Sequence, residues 1–285
     1  MIIDSHLHVW KLARGDYDWL TAELSPLYAD HALTEILPLF DQHRVSKCIL
    51  VQAAPSIAET QYLFKQAKLH SNHVVAVVGW IDFSSKHALK QLDELCLEPL
   101  LSGLRPMLQD ISPDNWILQE RFTPIFQALI NKGLVFDALV KQQQLPVIYE
   151  LACRFPKLKI VIDHCGKPDV AKTPNTQWQK DLAKLAQCPT VTIKLSGLSA
   201  QFSSGFDEKS ALHYITEVFA LFGADRVMWG SDWPVVKLAS DYLSWLSFCQ
   251  RCCQLLNLSL SQQTSLFYQT ATDVYGLSVY PENKK

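Results

Sequence analysis

The chain has 285 residues, of which 48% are hydrophobic, and a formal net charge of −2 at pH 7. This length and apolar content suffice for one large folded domain or two ordinary ones. The near-neutral balance of mixed charges excludes the basic surface that nucleic-acid binding requires. Asp4 and His6 interrupt the apolar start, which argues against a signal peptide, and no stretch approaches the roughly 20 apolar residues of a membrane span. We therefore expect a cytoplasmic protein with no nucleic-acid and no membrane partner, and the sequence leaves a homo-oligomer open.

Apolar, β-branched runs recur along the whole chain at even spacing. Most of them are continuous, with little alternation of polar residues, as expected for parallel strands that are covered on both faces. We predict eight strands, at residues 2–6, 47–52, 74–80, 101–107, 134–139, 159–163, 190–194 and 226–230.

Helical patterns lie between these strands. Ser56 and Glu59 form a capping box ahead of a helix that continues to Leu69. The other helices are predicted at residues 34–42, 86–96, 124–131, 144–154, 176–186, 209–222, 242–255 and 261–274. The alternation predicts an α/β fold, a (β/α)8 TIM barrel formed as a single domain over residues 1–285. A doubly wound open sheet is the alternative, because a strand count does not show closure.

The segment 11–31, rich in aromatic residues and aspartate, is too long for an ordinary turn between a strand and a helix. We expect it to fold over a site at the strand ends.

Three of the eight cysteines, Cys249, Cys252 and Cys253, are close in sequence and fall in a helical pattern. A zinc ribbon needs a second such pair, and a thioredoxin-type site needs a strand before the helix. We expect buried, reduced thiols here, although the sequence does not define their role.

Two histidines follow the first predicted strand, where residues 4–8 read Asp-Ser-His-Leu-His. Residues i and i+2 of a strand point to the same side, so His6 and His8 can converge on one point. Other polar side chains occur at or near the ends of later strands: Gln52, Trp80, Asp82, Arg105, Asp163, His164, Lys194, Ser196, Ser231 and Asp232. The active sites of TIM barrels lie at the carboxyl ends of the strands, so these residues form the candidate site.

Individual members of this set have simpler interpretations. Asp163 is expected to pair with a neighbouring loop. Lys194 either forms a buried ion pair or binds substrate, and Trp80 either packs in the core, which is favoured, or stacks on substrate. Lys167 follows Gly166 in a turn and can point inward or outward.

The chain resembles the amidohydrolase superfamily, in the branch of sugar-lactone and 2-pyrone-4,6-dicarboxylate lactonases. The motifs that carry the resemblance span nearly the whole sequence: Asp-Ser-His-Leu-His at 4–8, Tyr-x-Trp-Leu at 17–20, Gly-Leu-Arg at 103–105, Asp-His-Cys-Gly-Lys-Pro at 163–168, Lys-Leu-Ser-Gly at 194–197, Gly-Ser-Asp-Trp-Pro at 230–234 and Tyr-Gly-Leu at 275–277. The motif at 163–168 is the most specific to the lactonase branch.

The resemblance implies a hydrolase that opens a small lactone by attack of water on the ester carbonyl. Asp232 would be the general base, and His6, His8 and His164 would orient and polarise the carbonyl. Arg105, Trp80, Lys194 and Lys167 are the candidate substrate-binding residues.

The sequence leaves two alternatives for the cofactor, a single divalent metal or none. Members of the superfamily with two metals carry a lysine after strand 4 and a histidine after strand 5, whereas this chain has Arg105 after strand 4 and no histidine in residues 135–139. A two-metal site is therefore not expected. A single divalent metal, zinc by its ligand chemistry, could be held by His6, His8, His164 and Asp232. We expect catalysis without metal, because the guanidinium of Arg105 opposes a nearby cation.

The sequence leaves three other functions to consider. A metal-dependent decarboxylase of the same superfamily is the main alternative, and the Gly-Lys-Pro sequence after His164 argues for the lactonase. A non-catalytic barrel that binds a sugar acid is disfavoured by the retained Asp232. A serine hydrolase is disfavoured because no Gly-x-Ser-x-Gly sequence occurs.

Overall fold

Eight parallel strands in sequential order form the centre of the molecule. The computed structural model describes residues 1–172, 174–202 and 205–278. The strands are β1 Ile2–Leu7, β2 Val45–Val51, β3 Val74–Gly79, β4 Leu101–Leu104, β5 Val135–Ala138, β6 Ile160–Ile162, β7 Val191–Leu195 and β8 Val227–Trp229. The predicted strand positions are confirmed. Strand β4 is shorter than predicted, because Pro106 has no amide hydrogen with which to extend the ladder.

Helices follow the strands and cover the outside of the sheet. They are α1 Leu33–His43, α2 Ile57–Leu69, α3 Ala88–Leu95, α4 Thr123–Lys132, α5 Leu145–Arg154, α6 Thr176–Ala186, α7 Glu208–Phe222, α8 Tyr242–Leu255, α9 Leu260–Thr264 and α10 Thr270–Tyr275, with a π-helical turn at Ser265–Gln269 between the last two. The capping box is present in part, since the Ser56 hydroxyl accepts a hydrogen bond from the Glu59 amide. In the described part of the chain, no helix has the length and apolarity to cross a membrane.

The sheet closes between β1 and the residues that follow β8. Leu7 and Trp233 form a parallel bridge, and the amides of His8 and Asp232 donate to the carbonyls of Trp233 and His6, each at 2.8 Å. A β-carbon at Gly230 would lie 2.7 Å from that of His6, so this close approach requires glycine. The fold is therefore a single-domain (β/α)8 barrel, as predicted, and the open-sheet alternative is wrong.

The buried carboxylate of Asp4 contributes to this seam. Its Oδ1 accepts hydrogen bonds from the amides of Ser231 at 2.8 Å and His6 at 3.2 Å. Burial raises the pKa of Asp4 to about 6. One side chain thus joins the two strand ends that carry His6 and Asp232.

The barrel interior is filled in layers. The lower layer is an apolar cluster to which β1, β2, β3, β5, β6 and β8 contribute, and which packs against Ala271, Tyr275 and Leu277 of the C-terminal segment. Charged groups lie above it, towards the carboxyl ends of the strands. The C-terminal helix therefore covers one end of the barrel and leaves the other end for the site.

Candidate active site

His6 and His8 converge at the end of β1, as their spacing predicts. Their Nε2 atoms are 3.1 Å apart, and both side chains are buried. The outward nitrogens face acceptors: Nδ1 of His8 donates to the Val51 carbonyl at 2.8 Å, and Nδ1 of His6 lies 3.4 Å from Asp163 Oδ1. Because a carbonyl and a carboxylate only accept, we assign a hydrogen to Nδ1 of each ring. Two Nε2 lone pairs then face each other.

Asp232 brings a third lone-pair donor to the same point. It lies in a left-handed turn after β8, with φ of 58°, and its Oδ1 is 3.3 Å from His8 Nε2 and 3.7 Å from His6 Nε2. Among the described residues, this oxygen has no hydrogen-bond donor. Burial alone would raise the pKa of the carboxyl, but His164, His8 and His6 outweigh it and lower the pKa. Asp232 is therefore ionised throughout the range in which proteins work.

His164 occupies the opposite side of this group. Its ring centre is 4.5 Å from that of His6, and its Nδ1 is 3.0 Å from the Ser196 hydroxyl. The backbone from His164 to Lys167 is left-handed at four consecutive residues, a costly path that suits a site-forming loop. Burial lowers the pKa of His164 to about 4, so its imidazole is neutral at pH 7.

Arg105 is fixed beneath the histidines. Its Nη2 donates to the Gln52 carbonyl, and the Gln52 side-chain amide donates to the Arg105 carbonyl in return. Its Nη1 lies 3.2 Å from Asp163 Oδ2 and 3.4 Å from His6 Nε2. Partners on both arms hold the guanidinium in one orientation, which a flexible lysine would not adopt.

These groups open into a cavity of about 380 Å³ at the carboxyl ends of the strands. His8, Arg105, His164 and Asp232 line it, and so does Lys167, whose Nζ donates to Gln109 Oε1 at 2.5 Å. The remaining wall has a polar part and an apolar part. It is formed by Trp19, Leu24, Leu27, Ala53, Met107, Gln109, Asp110, Leu139, Ala200, Gln201, Val235 and Leu238.

The segment 11–31 supplies part of this wall, as its length predicts. Trp19, Leu24 and Leu27 line the cavity, and the Trp19 indole donates to the Ala53 carbonyl at 2.7 Å. Sequence reasoning missed Gln109 and Gln201, which lie in the short 3₁₀ helices Leu108–Asp110 and Ser199–Gln201. Both residues come shortly after a strand end, which is the signal that could have found them.

Trp80 and Lys194 are not part of the cavity wall, so their predicted roles in substrate binding gain no support from this geometry. Lys194 is fully buried, with Nζ 2.5 Å from Asp137 Oδ2 and 3.2 Å from Asp163 Oδ1. The buried-ion-pair interpretation of Lys194 is therefore correct. Asp163 was expected to pair with a loop and instead pairs with Lys194 and Arg105 inside the barrel. Burial alone would raise the pKa of Asp163, but Lys194, His6 and Arg105 outweigh it and lower the pKa well below the usual range.

The donor atoms of His6, His8 and Asp232 fit a single metal ion. In a tetrahedral zinc site, ligand atoms about 2.0–2.1 Å from the metal are about 3.3 Å from one another. The three observed separations are 3.1, 3.3 and 3.7 Å, and all three atoms carry lone pairs. His164 belongs to a second group of possible ligands, with His6 and Asp163, so the four ligands that the sequence left possible fall into two groups.

Comparison with known proteins defines the family. The profile of the amidohydrolase family matches residues 3–277. The chain belongs to the amidohydrolase family. An L-fucono-1,5-lactonase from Burkholderia ambifaria is 38% identical to this amidohydrolase over 254 residues, which are 88% of this chain and 87% of that protein.

Two further relatives are similar over nearly the whole length. An L-fucono-1,5-lactonase from Burkholderia multivorans is 31% identical, with 96% of each chain covered. A crystal structure of a Burkholderia multivorans amidohydrolase with bound zinc superposes with a TM-score of 0.90 at 30% identity, covering 97% of this chain and 99% of that one. The lactonase branch named from the sequence motifs is thus confirmed.

Proposed function

We propose that this amidohydrolase hydrolyses the lactone of a sugar acid, with Asp232 as the general base. The observation that carries the proposal is the ionised Asp232 carboxylate, whose Oδ1 has no donor in the described part of the chain, in a cavity that also exposes Arg105 and His164. The similar relatives named as L-fucono-1,5-lactonases support this substrate class over the decarboxylase alternative.

Each residue has a defined part in the reaction. Asp232 accepts a proton from water as the water oxygen attacks the lactone carbonyl. Arg105 and His164, which line the same cavity, donate hydrogen bonds to the carbonyl oxygen in this proposal as negative charge develops on it. The ring carbon–oxygen bond then breaks, the leaving oxygen takes the proton from Asp232, and the product is a hydroxy acid. Its carboxyl group ionises and releases one proton per turnover.

The low pKa of Asp232 makes its carboxylate a weak base, but it also keeps the carboxylate ionised at any working pH. A lactone is an activated ester, so a weak base suffices when it is held in position. The polar side of the cavity, with Gln109, Lys167 and Gln201, suits the hydroxyl groups of a sugar acid.

We also propose that His6, His8 and Asp232 hold one divalent cation, for which zinc is the best match. This replaces the metal-free catalysis expected from the sequence, because two imidazole lone pairs and a carboxylate oxygen face one another at 3.1–3.7 Å. Arg105 opposes a cation by repulsion, and the carboxylates of Asp232 and Asp163 offset that repulsion. A bound cation polarises a carbonyl or lowers the pKa of water from 15.7 to about 7.

A pH-indicator assay tests the hydrolysis. The substrates are the 1,5- and γ-lactones of several sugar acids and one aromatic-derived lactone, each with an enzyme-free blank. We expect turnover of at least one sugar lactone, and a loss of at least about 100-fold in kcat for Asp232→Asn, equivalent to about 2.7 kcal/mol. Asp114→Asn, on an exposed loop, is the matched control and should keep full activity. Equal activity of the two variants would remove Asp232 from the mechanism.

Metal analysis tests the cation separately from turnover. Protein stripped with a chelator and dialysed against zinc should retain about one zinc per chain, and His8→Gln should retain much less. Stripped wild-type protein that keeps full activity, or that binds no zinc, would restore the metal-free alternative.

A further inference from the structure

A line of charged and polar groups crosses the barrel interior from the C-terminal helix to the site. The Tyr275 hydroxyl lies 2.8 and 3.0 Å from the two carboxylate oxygens of Asp137. Asp137 pairs with Lys194, which also pairs with Asp163. Asp163 in turn faces His6 Nδ1 at 3.4 Å and Arg105 Nη1 at 3.2 Å. Every member of this line is buried.

Tyr275 anchors the far end of the line. It comes from α10 and packs in the apolar layer that closes the bottom of the barrel, with Ile3 and Val161 among its neighbours in that layer. The Lys194 ammonium lies 5.4 Å from the centre of its ring. The Tyr275 ring thus contacts the Lys194 ammonium, and the Tyr275 hydroxyl binds the Asp137 carboxylate.

Loss of the Tyr275 hydroxyl removes a hydrogen-bond donor from Asp137, and the other charged groups of the line must then adjust. Buried charges must keep their partners, because an unpaired charge in an apolar interior is costly. Lys194 lies between the carboxylates of Asp137 and Asp163. If Asp137 rotates towards Lys194, the Lys194 ammonium moves relative to Asp163. Asp163 faces the His6 ring at 3.4 Å, and it also accepts a hydrogen bond from one arm of Arg105.

We propose that Tyr275 is a positioning residue for the active site, acting through Asp137, Lys194 and Asp163 on His6 and Arg105. Its kinetic test rests on the proposed lactone hydrolysis, and its spectroscopic test does not. The Tyr-Gly-Leu sequence at 275–277 is one of the motifs by which the chain resembles its superfamily, and none of the proposed catalytic residues lies in it. A positioning role for Tyr275 accounts for this motif.

The test compares Tyr275→Phe, which keeps the ring and loses only the hydroxyl, with Leu277→Ala. Leu277 belongs to the same apolar layer and has no side-chain hydrogen bond to lose, so its variant loosens the same packing. We expect Tyr275→Phe to lower kcat about tenfold with KM within about twofold, and Leu277→Ala to lower Tm with kcat unchanged. Equal losses of kcat at equal losses of Tm would show general loosening and overturn the proposal.

A double-mutant cycle with Asp137→Asn tests the route. If Tyr275 acts through Asp137, the double variant should be no slower than the slower single variant, whereas independent effects would multiply. Multiplied effects would refute this route.

Nuclear magnetic resonance of ¹⁵N-histidine-labelled protein tests the same inference without any substrate. The ring nitrogens of His6, assigned by comparison with His6→Gln, should report a hydrogen on Nδ1 in the wild type. Tyr275→Phe should shift these His6 signals and leave those of the exposed His43 in place. Unshifted His6 signals would refute the inference, whereas shifted signals in an enzyme that hydrolyses no lactone would refute only the proposed function.

Discussion

Gly197 offers a sharp test of the position of His164. A β-carbon built on Gly197 would lie 2.4 Å from His164 Nδ1 and 2.6 Å from its Cγ, whereas ordinary contacts begin at 3.4 Å. In Gly197→Ala the imidazole must therefore retreat by at least 1.0 Å, the difference between 3.4 and 2.4 Å. The movement also breaks its 3.0 Å contact with the Ser196 hydroxyl.

A displacement of this size at a catalytic group costs about 100-fold in rate, or about 2.7 kcal/mol of transition-state stabilisation. Gly197 also has a φ of +58°, which costs an alanine about 1 kcal/mol of stability. Gly133→Ala is the matched control, because Gly133 has a φ of +69° and the β-carbon would meet no described atom within 4 Å.

The assay is kcat by pH indicator, with Tm measured for both variants. Both should lose a few degrees in Tm, and only Gly197→Ala should lose activity. A Gly197→Ala enzyme with kcat within threefold of wild type would show that His164 does not need this position, and the role given to it would be withdrawn.

Two further predictions concern Arg105 and Asp4. Arg105→Lys should lower kcat/KM at least about tenfold, since a lysine cannot bond the Gln52 carbonyl and Asp163 together as the guanidinium does; near wild-type kinetics would assign Arg105 to the fold alone. The pKa of Asp4 is raised from 3.8 to about 6, so between these pH values the folded chain keeps a proton that the unfolded chain has released. Stability should therefore fall by up to about 3 kcal/mol as the pH rises through this window. Burial also raises the pKa of Asp137 to about 6 and that of Glu59 to about 7, so the test is the difference between two proteins. In urea unfolding from pH 4 to pH 7, Asp4→Asn should lose about 3 kcal/mol less than the wild type, and parallel curves for the two proteins would contradict the assignment.

The strands and the convergence of His6, His8, His164 and Asp232 were predictable from the sequence. Buried parallel strands appear as continuous apolar runs, and each of these four side chains lies within three residues of the end of such a run. Parallel strands then bring their carboxyl ends together, whichever residues separate them in sequence.

Which charged residues line the cavity and which lie buried below it was not predictable in the same way. Lys194 and Arg105 both follow or interrupt apolar strands, yet one is fully buried beneath the site and the other lines the cavity. The position of a side chain between the two ends of the barrel depends on strand register, which the pattern of residues does not specify. The left-handed backbone from His164 to Lys167 could not be predicted either, since Gly166 is the only one of these four residues that favours a positive φ.

The closure of the barrel joins opposite ends of the chain, and this has a consequence for how the protein acquires activity. His6 and Asp232 come from the first and last strands, so the ribosome must release more than two hundred residues before these two groups can meet. Such a long separation makes the closing contact slow relative to local helix formation. After dilution from denaturant, helical circular dichroism should recover before hydrolysis does, and the recovery of hydrolysis would time the joining of the first strand to the last.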